Sequence, residues 1–172
     1  TREGEEELIL DAWQKVGAGG TAQAGSAALM GTALLVIVPR HPQRFDEVVR
    51  MLEDKQVRFK RRSRDELPDA ATQVWLGDSM GEMAAYFAAC DVTFIGGSLR
   101  PFGAHNLVEA WALGKPVVIG PSVFNFQEAV ELGIAAGAVI QVLDAAALAG
   151  RVTELLQDPA RARNIGAAGA AF

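Results

Sequence analysis

Apolar residues fall at two alternating spacings along this chain, and the alternation sets the expected architecture. From Glu5 the residues Leu8, Ile9, Ala12, Trp13 and Val16 recur at helical spacing, with three glutamates in the first turn where the positive end of the helix dipole favours them. Residues 17 to 32 are small, glycine-rich and without period, and read as a loop. A continuous apolar run over Leu34 to Val38 predicts a strand. Pro42 then fits a first helical position, and Phe45, Val48, Val49 and Leu52 mark the helix behind it.

Further strands are expected at Val57 to Lys60, Thr72 to Leu76, Asp91 to Ile95, Pro116 to Ile119 and Ala138 to Val142. Between them the spacing predicts helices from Met80 to about Cys90, with Met83, Ala84 and Phe87 inward, from Asn106 to 113, and from Asn125 to Leu132. Two more, over 144–157 and 159–170, close the chain. Strands alternating with helices predict an α/β fold, a Rossmann-like parallel sheet covered by helices on both faces. In such sheets ligands bind outside the carboxyl ends of the strands. That rule places Pro39-Arg40-His41, Asp78 to Glu82, Gly97-Ser98, His105-Asn106 and Gly120-Pro121 on one rim.

Composition narrows the function. Half of the residues are hydrophobic and 22% are charged, as in globular domains, and 172 residues suit one domain. The net charge of −5 argues against non-specific nucleic-acid binding. Cys90 is the single cysteine, so no internal disulfide forms, and no apolar run reaches membrane-spanning length. Neither a G-x-S-x-G elbow nor a P-loop is present.

The chemistry-bearing residues gather after the strands. Gly96-Gly97-Ser98 ends the central strand, and glycines let a backbone approach a ligand closely. A helix start at Asn106 would offer N–H groups and a favourable dipole to a phosphate. Asn106-Leu107-Val108-Glu109 and Ser79-Met80-Gly81-Glu82 both have the spacing of a capping box, and from spacing alone each glutamate reads as a cap ahead of a ligand group, though one carboxylate can serve both. Glu109 as a ligand group would accept hydrogen bonds from ribose hydroxyls. Arg40 could pair with a phosphate, or stand as an exposed arginine at a strand end. Lys60-Arg61-Arg62 with Arg64 reads as a solvated strand end or as a patch for an anionic surface. The two histidines, His41 and His105, have no ligand-spaced partner, so no metal site is expected.

Taken together, these motifs resemble the C-terminal half of 3-deoxy-D-manno-octulosonic acid (Kdo) transferases. The resemblance is carried by Thr1-Arg2-Glu3-Gly4-Glu5-Glu6, Val38-Pro39-Arg40-His41-Pro42, Gly77-Asp78-Ser79-Met80-Gly81-Glu82, Phe94-Ile95-Gly96-Gly97-Ser98, Gly103-Ala104-His105-Asn106 and Gly114-Lys115-Pro116-Val117. It departs at Arg2, where histidine is common, and at Ala104, which interrupts a glycine pair. The resemblance implies the C-terminal half of a GT-B glycosyltransferase, inverting, without metal or other cofactor, using CMP-Kdo as donor and a lipid A precursor as acceptor.

By the same resemblance, CMP is expected at Pro39, Arg40, Met80, Gly81, Glu82, Asn106, Leu107, Val108 and Glu109, with Gly97, Ser98 and His105 as further candidates. The general base, the acceptor site and the membrane association are expected in an N-terminal domain, and no catalytic residue in this segment. A cytoplasmic-face, inner-membrane location is implied for the full-length enzyme, and a soluble, inactive segment here. Residues 1–172 then read as a nucleotide-sugar binding domain truncated at both ends, starting just after its first strand. In the order 3-2-1-4-5-6 that strand lies mid-sheet. Other GT-B enzymes using UDP-sugars, whether transferases or epimerases, and a non-catalytic nucleotide-binding module remain open at this point.

Overall fold

The computed structural model describes residues 1–17 and 33–172, so the loop expected over residues 17 to 32 lies, apart from Gly17, outside the described residues. In chain order the elements are α1 (Glu5–Gly17), β1 (Leu35–Ile37), α2 (Phe45–Asp54), β2 (Phe59–Arg61), β3 (Val74–Leu76), α3 (Met83–Ala89), β4 (Thr93–Ile95), α4 (Val108–Ala112), β5 (Val117–Ile119), α5 (Gln127–Ala135), β6 (Val139–Gln141), α6 (Ala145–Gln157) and α7 (Pro159–Ala171). Short 3-10 turns lie at Pro42–Arg44 and Arg62–Arg64.

All strand pairs are parallel, and they form two sheets of three. The first runs β1-β3-β2, with Leu35 and Phe59 both opposite Val74. The second runs β4-β5-β6, with Val117 between Thr93 and Val139. Val117, Val118 and Ile119 are fully buried, as expected of a middle strand covered on both faces. The parallel α/β class is as the sequence predicts. The strand order is a correction, because β3 sits between β1 and β2 rather than outside them. Hydrophobic spacing carries no information about which strands are neighbours.

Each sheet has its own core. Leu10, Ile37, Val48, Leu52, Val74 and Leu76 fill one, and Ile95, Leu107, Trp111, Val117, Ile119 and Val130 fill another. A third joins Ile9 of α1 to Val118, Val142, Leu148 and Leu155. Helix α1 therefore spans both halves, with Leu10 in one core and the adjacent Ile9 in another, and it packs against α6.

Helix ends follow local chemistry. Asp144 and Asp158 cap α6 and α7 by accepting from the amides of Ala147 (2.7 Å) and Arg161 (3.0 Å), and Pro159 stands at the start of α7. Gly166 lets α7 lie against the Gly114 turn: a Cβ on it would come within 2.0 Å of the Gly114 carbonyl oxygen. Helix α3 begins at Met83, not Met80, because Gly81 is left-handed at φ 77° and breaks the first turn. Of its expected inward residues only Phe87 is buried, while Met83 and Ala84 are exposed. Helix α4 is also shorter than expected, starting at Val108 rather than Asn106.

Candidate nucleotide site at the strand ends

The loop after β4 is built around a carboxylate from the other end of the chain. Glu5 is fully buried, and it accepts hydrogen bonds from the amides of Gly97 (2.7 Å), Ser98 (3.0 Å), Leu99 (3.0 Å) and Arg2 (2.9 Å). Left-handed Gly97 curls the backbone so that consecutive N–H groups converge, a conformation that favours an anion. The anion here is internal. This corrects the expectation for Gly97 and Ser98, whose N–H groups are spent on Glu5. The Ser98 hydroxyl is buried too, donating to the Ile95 carbonyl and accepting from the Gly120 amide.

Next to it, Glu6 forms a two-pronged pair with Arg44 (2.7 and 3.1 Å), both almost wholly buried, and accepts from the Thr1 hydroxyl. The Arg44 guanidinium is held above its ordinary range: burial opposes the charge, and the hydrogen bonds it donates to Glu6 and Glu47 outweigh it. A third buried acid, Asp78, collects Arg61 Nε (2.7 Å) with the amide and hydroxyl of Ser63 (2.8 and 2.6 Å). Burial opposes its charge, but the Ser63 bonds and Arg61 overcome that and keep its carboxyl below the usual range. The basic run is thus largely neutralised, with Lys60 near Asp69, Arg61 on Asp78 and Arg62 on Asp65 and Glu82.

A cavity of about 990 Å³ runs between β1 and β4, from Leu34 and Asp91 at their amino ends to a rim at their carboxyl ends. Pro39, Arg40, Met80, Gly81, Glu82, His105, Asn106 and Glu109 all line it, so one space gathers residues spread over seventy positions of sequence. Leu107 and Val108 do not. Leu107 is fully buried in the core and Val108 points outward, about half exposed. Gly120 and Pro121 also lie off this cavity; Pro121 borders a smaller one with Gln127 and Gln141.

The donors and acceptors on the rim differ in how free they are. Arg40 is exposed and makes no ion pair with the described residues. Glu82 is engaged by Ser79 and by Arg62 at 2.8 Å, and these hold its carboxyl below the usual range. Neither expected capping box forms: Glu82 bonds the Ser79 side chain, and Asn106 Oδ1 accepts from the Val108 amide at 3.0 Å. Asn106 Nδ2 reaches Glu109 Oε1 only at 3.5 Å, so the exposed Glu109 carboxylate stays open to a ligand.

His105 Nε2 is buried and has no hydrogen-bond partner among the described residues. Burial, then the positive charges of the amino terminus, Arg40, Arg2 and His41, push its pKa down to about 4. The imidazole is neutral at pH 7, with one nitrogen unsatisfied at the cavity wall.

Residues 33–172 match the family model described as Glycosyl transferases group 1. The chain belongs to this family. Among its group 1 relatives, it is 42% identical over 162 residues to the 3-deoxy-D-manno-octulosonic acid transferase of Bordetella pertussis, and 37% identical over 163 residues to that of Haemophilus influenzae. Those alignments cover 94% and 95% of this chain but 36% of each relative, so the chain spans about a third of their length. The Kdo-transferase resemblance read from the motifs is borne out. Among solved structures, the C-terminal CMP-Kdo binding domain of WaaA from Acinetobacter baumannii superposes with a TM-score of 0.76 at 29% identity, over 95% of this chain and 96% of that one. Anabaena Alr3699/HepE, solved with UDP and glucose, shares the fold at a TM-score of 0.56 and 18% identity, over 99% of this chain and 48% of that one. The group 1 chain therefore has the fold of the C-terminal domain of a GT-B glycosyltransferase.

Reading the sequence missed Glu5, Glu6, Thr1 and Asp78 as organising residues. The three glutamates of α1 read as complements to the helix dipole. Nothing in their spacing shows that the first of them plugs a loop more than ninety residues away.

Proposed function

We propose that this chain is the donor-binding part of an inverting glycosyltransferase that moves Kdo from CMP-Kdo to a lipid A precursor. One observation carries the reading: a single cavity at the strand ends assembles Arg40, the Met80 to Glu82 turn, His105, Asn106 and Glu109, and the domain of Acinetobacter baumannii that resembles this one so closely is described as CMP-Kdo binding. The free guanidinium of Arg40 supplies the charge for the phosphate. The neutral His105 offers its unsatisfied nitrogen beside it. The Glu109 carboxylate takes the two ribose hydroxyls.

The turn at Met80-Gly81-Glu82 borders the cavity with backbone, since the Glu82 side chain is held by Arg62 and Ser79. Leu107 acts from the core, by fixing the start of α4. The general base, the acceptor site and the contact with the inner membrane belong, in this proposal, to other parts of the enzyme. No described helix is long and apolar enough to cross a membrane.

Calorimetric titration of the chain with CMP and with UDP tests the proposal. The expected result is saturable binding of CMP, at least about tenfold weaker for UDP, and loss of at least about tenfold in Glu109→Ala, which is about 1.4 kcal/mol. Preference for UDP, or equal CMP binding by the Glu109→Ala chain, would overturn it. No Kdo transfer is expected from the 172 residues alone.

A further inference from the structure

The chain as a whole carries a net charge of −5, yet positive side chains gather where the loop after β4 meets the segment before α1. Arg2 stands on that segment and Arg100 on that loop. Arg40 follows β1, and its amide donates to the Thr1 carbonyl at 3.0 Å. His41 comes next in the chain, and the charges of Arg40, Arg2 and His41 all reach His105 on the cavity wall. The acids close by are already committed. Glu5 is spent on four amides and Glu6 on Arg44 and the Thr1 hydroxyl, while Glu3 meets Arg2 Nε at 2.9 Å and Arg44 at 3.9 Å.

Two of these arginines are held in place with donors to spare. The Arg2 guanidinium lies 4.3 Å from the centre of the Phe102 ring, and Glu3 takes its Nε, so it is fixed from two sides. Among the described residues nothing accepts from its two terminal nitrogens, and a guanidinium presents such a pair as a fork that matches a carboxylate. Arg100 is exposed and makes no ion pair among the described residues. It lies along the chain at Gly4, where a Cβ would come within 3.2 Å of its Nη2. Phe102 ties the two together, since its amide donates to the Arg100 carbonyl (2.7 Å) and its ring carries Arg2. Neither arginine lines the cavity, but Thr1 lines it beside Arg2, and Gly96 begins the loop that bears Arg100.

In the nucleotide reading Arg40 and His105 face the phosphate, which leaves one charge of the donor without a partner. A ulosonic acid also carries a carboxylate, attached to the carbon that bears the phosphate ester. Two anions so few bonds apart call for two cationic places side by side. We propose that Arg2 and Arg100 form a second anion subsite next to Arg40, which binds the carboxylate of the donor sugar and makes the chain selective for acidic sugars. The subsite rests on the nucleotide reading and adds to it the residues that select the sugar.

Calorimetric titration of the chain with three ligands is the test: CMP, an analogue of CMP-Kdo whose bridging oxygen is replaced by CH2, and that analogue with its carboxylate converted to the carboxamide. The native chain is expected to bind the carboxylate analogue at least about tenfold more tightly than the carboxamide, as the loss of a charged hydrogen-bonded pair predicts. In the chain carrying both Arg2→Gln and Arg100→Gln that preference disappears while CMP binds as before, which also shows that the variant is folded. Equal binding of the two analogues by the native chain would sink the subsite. So would a double variant that keeps the preference, or one that loses CMP at an unchanged urea midpoint, since the arginines would then serve the nucleotide. Should the double variant not fold, Arg100→Gln alone must weaken the preference, and an unchanged preference counts against the subsite. Failure of all three ligands to bind the native chain would overturn the donor reading itself, and the subsite with it.

Discussion

At the scale of single residues, two positions near the rim carry conformational or electrostatic stress. Ala104 is buried and left-handed at φ 69°, where a side chain collides with its own backbone, at a cost of about 1–2 kcal/mol. It is held there because its amide donates to Gly97 (2.7 Å) and the His105 amide to Gly96 (2.9 Å), which ties the loop into a tight return. Replacing it by glycine removes the strain but adds freedom to the unfolded chain, worth about 0.4–1 kcal/mol. Ala104→Gly is expected to stabilise by about 0.5 kcal/mol, seen as a higher urea midpoint; a lower one would contradict the strain.

His105 adds a dependence on pH. Its folded pKa of about 4 lies below the ordinary value of 6.5, so between these values the unfolded chain binds the proton that the folded chain refuses. Stability contributed by the neutral imidazole is complete above pH 6.5 and declines as the pH falls toward 4. Unfolding midpoints measured across that window should fall less steeply for His105→Asn than for the native chain. Identical slopes would show that the imidazole is not the group responsible.

At the scale of elements, the bond between α1 and the β4 loop is the decisive one. Glu5 satisfies four amides in a buried setting, and truncating it strands all of them. Losing one partner of a buried charged network costs about 3–5 kcal/mol, a large share of the roughly 5–15 kcal/mol that holds a domain together. Glu5→Ala should therefore lower the urea midpoint drastically, whereas the exposed neighbour Glu7→Ala should leave it nearly unchanged, within about 0.5 kcal/mol. Comparable midpoints for the two variants would mean the loop does not depend on its internal anion. The run Gly4-Glu5-Glu6 is explained in these terms: its two glutamates bind the loop after β4 and Arg44.

At the scale of the whole molecule, the class of fold was legible because runs such as Pro116 to Ile119 and the Leu148 to Leu155 face leave little choice of period. Boundaries were less so. Every described strand is three residues long, shorter than the apolar run that carries it, and Gly81 delays α3 by a backbone angle that residue identity only hints at. For the site, strand ends predicted the rim at Pro39-Arg40, Met80 to Glu82, His105, Asn106 and Glu109. They failed for Gly97 and Ser98, because an internal carboxylate competing for the same amides is a long-range fact. Leu107 and Val108 lie off the cavity, because one turn of helix decides which way each side chain faces.

The placement of β3 between β1 and β2 also bears on how the chain acquires its form. Among the described strands, neither β1 nor β2 has a partner strand until residues 74–76 arrive. During synthesis from the amino terminus, α2 and the strand beside it wait as local structure, and then both pairings close almost together around β3. The second half differs: β4, β5 and β6 add in succession, each on the edge just formed.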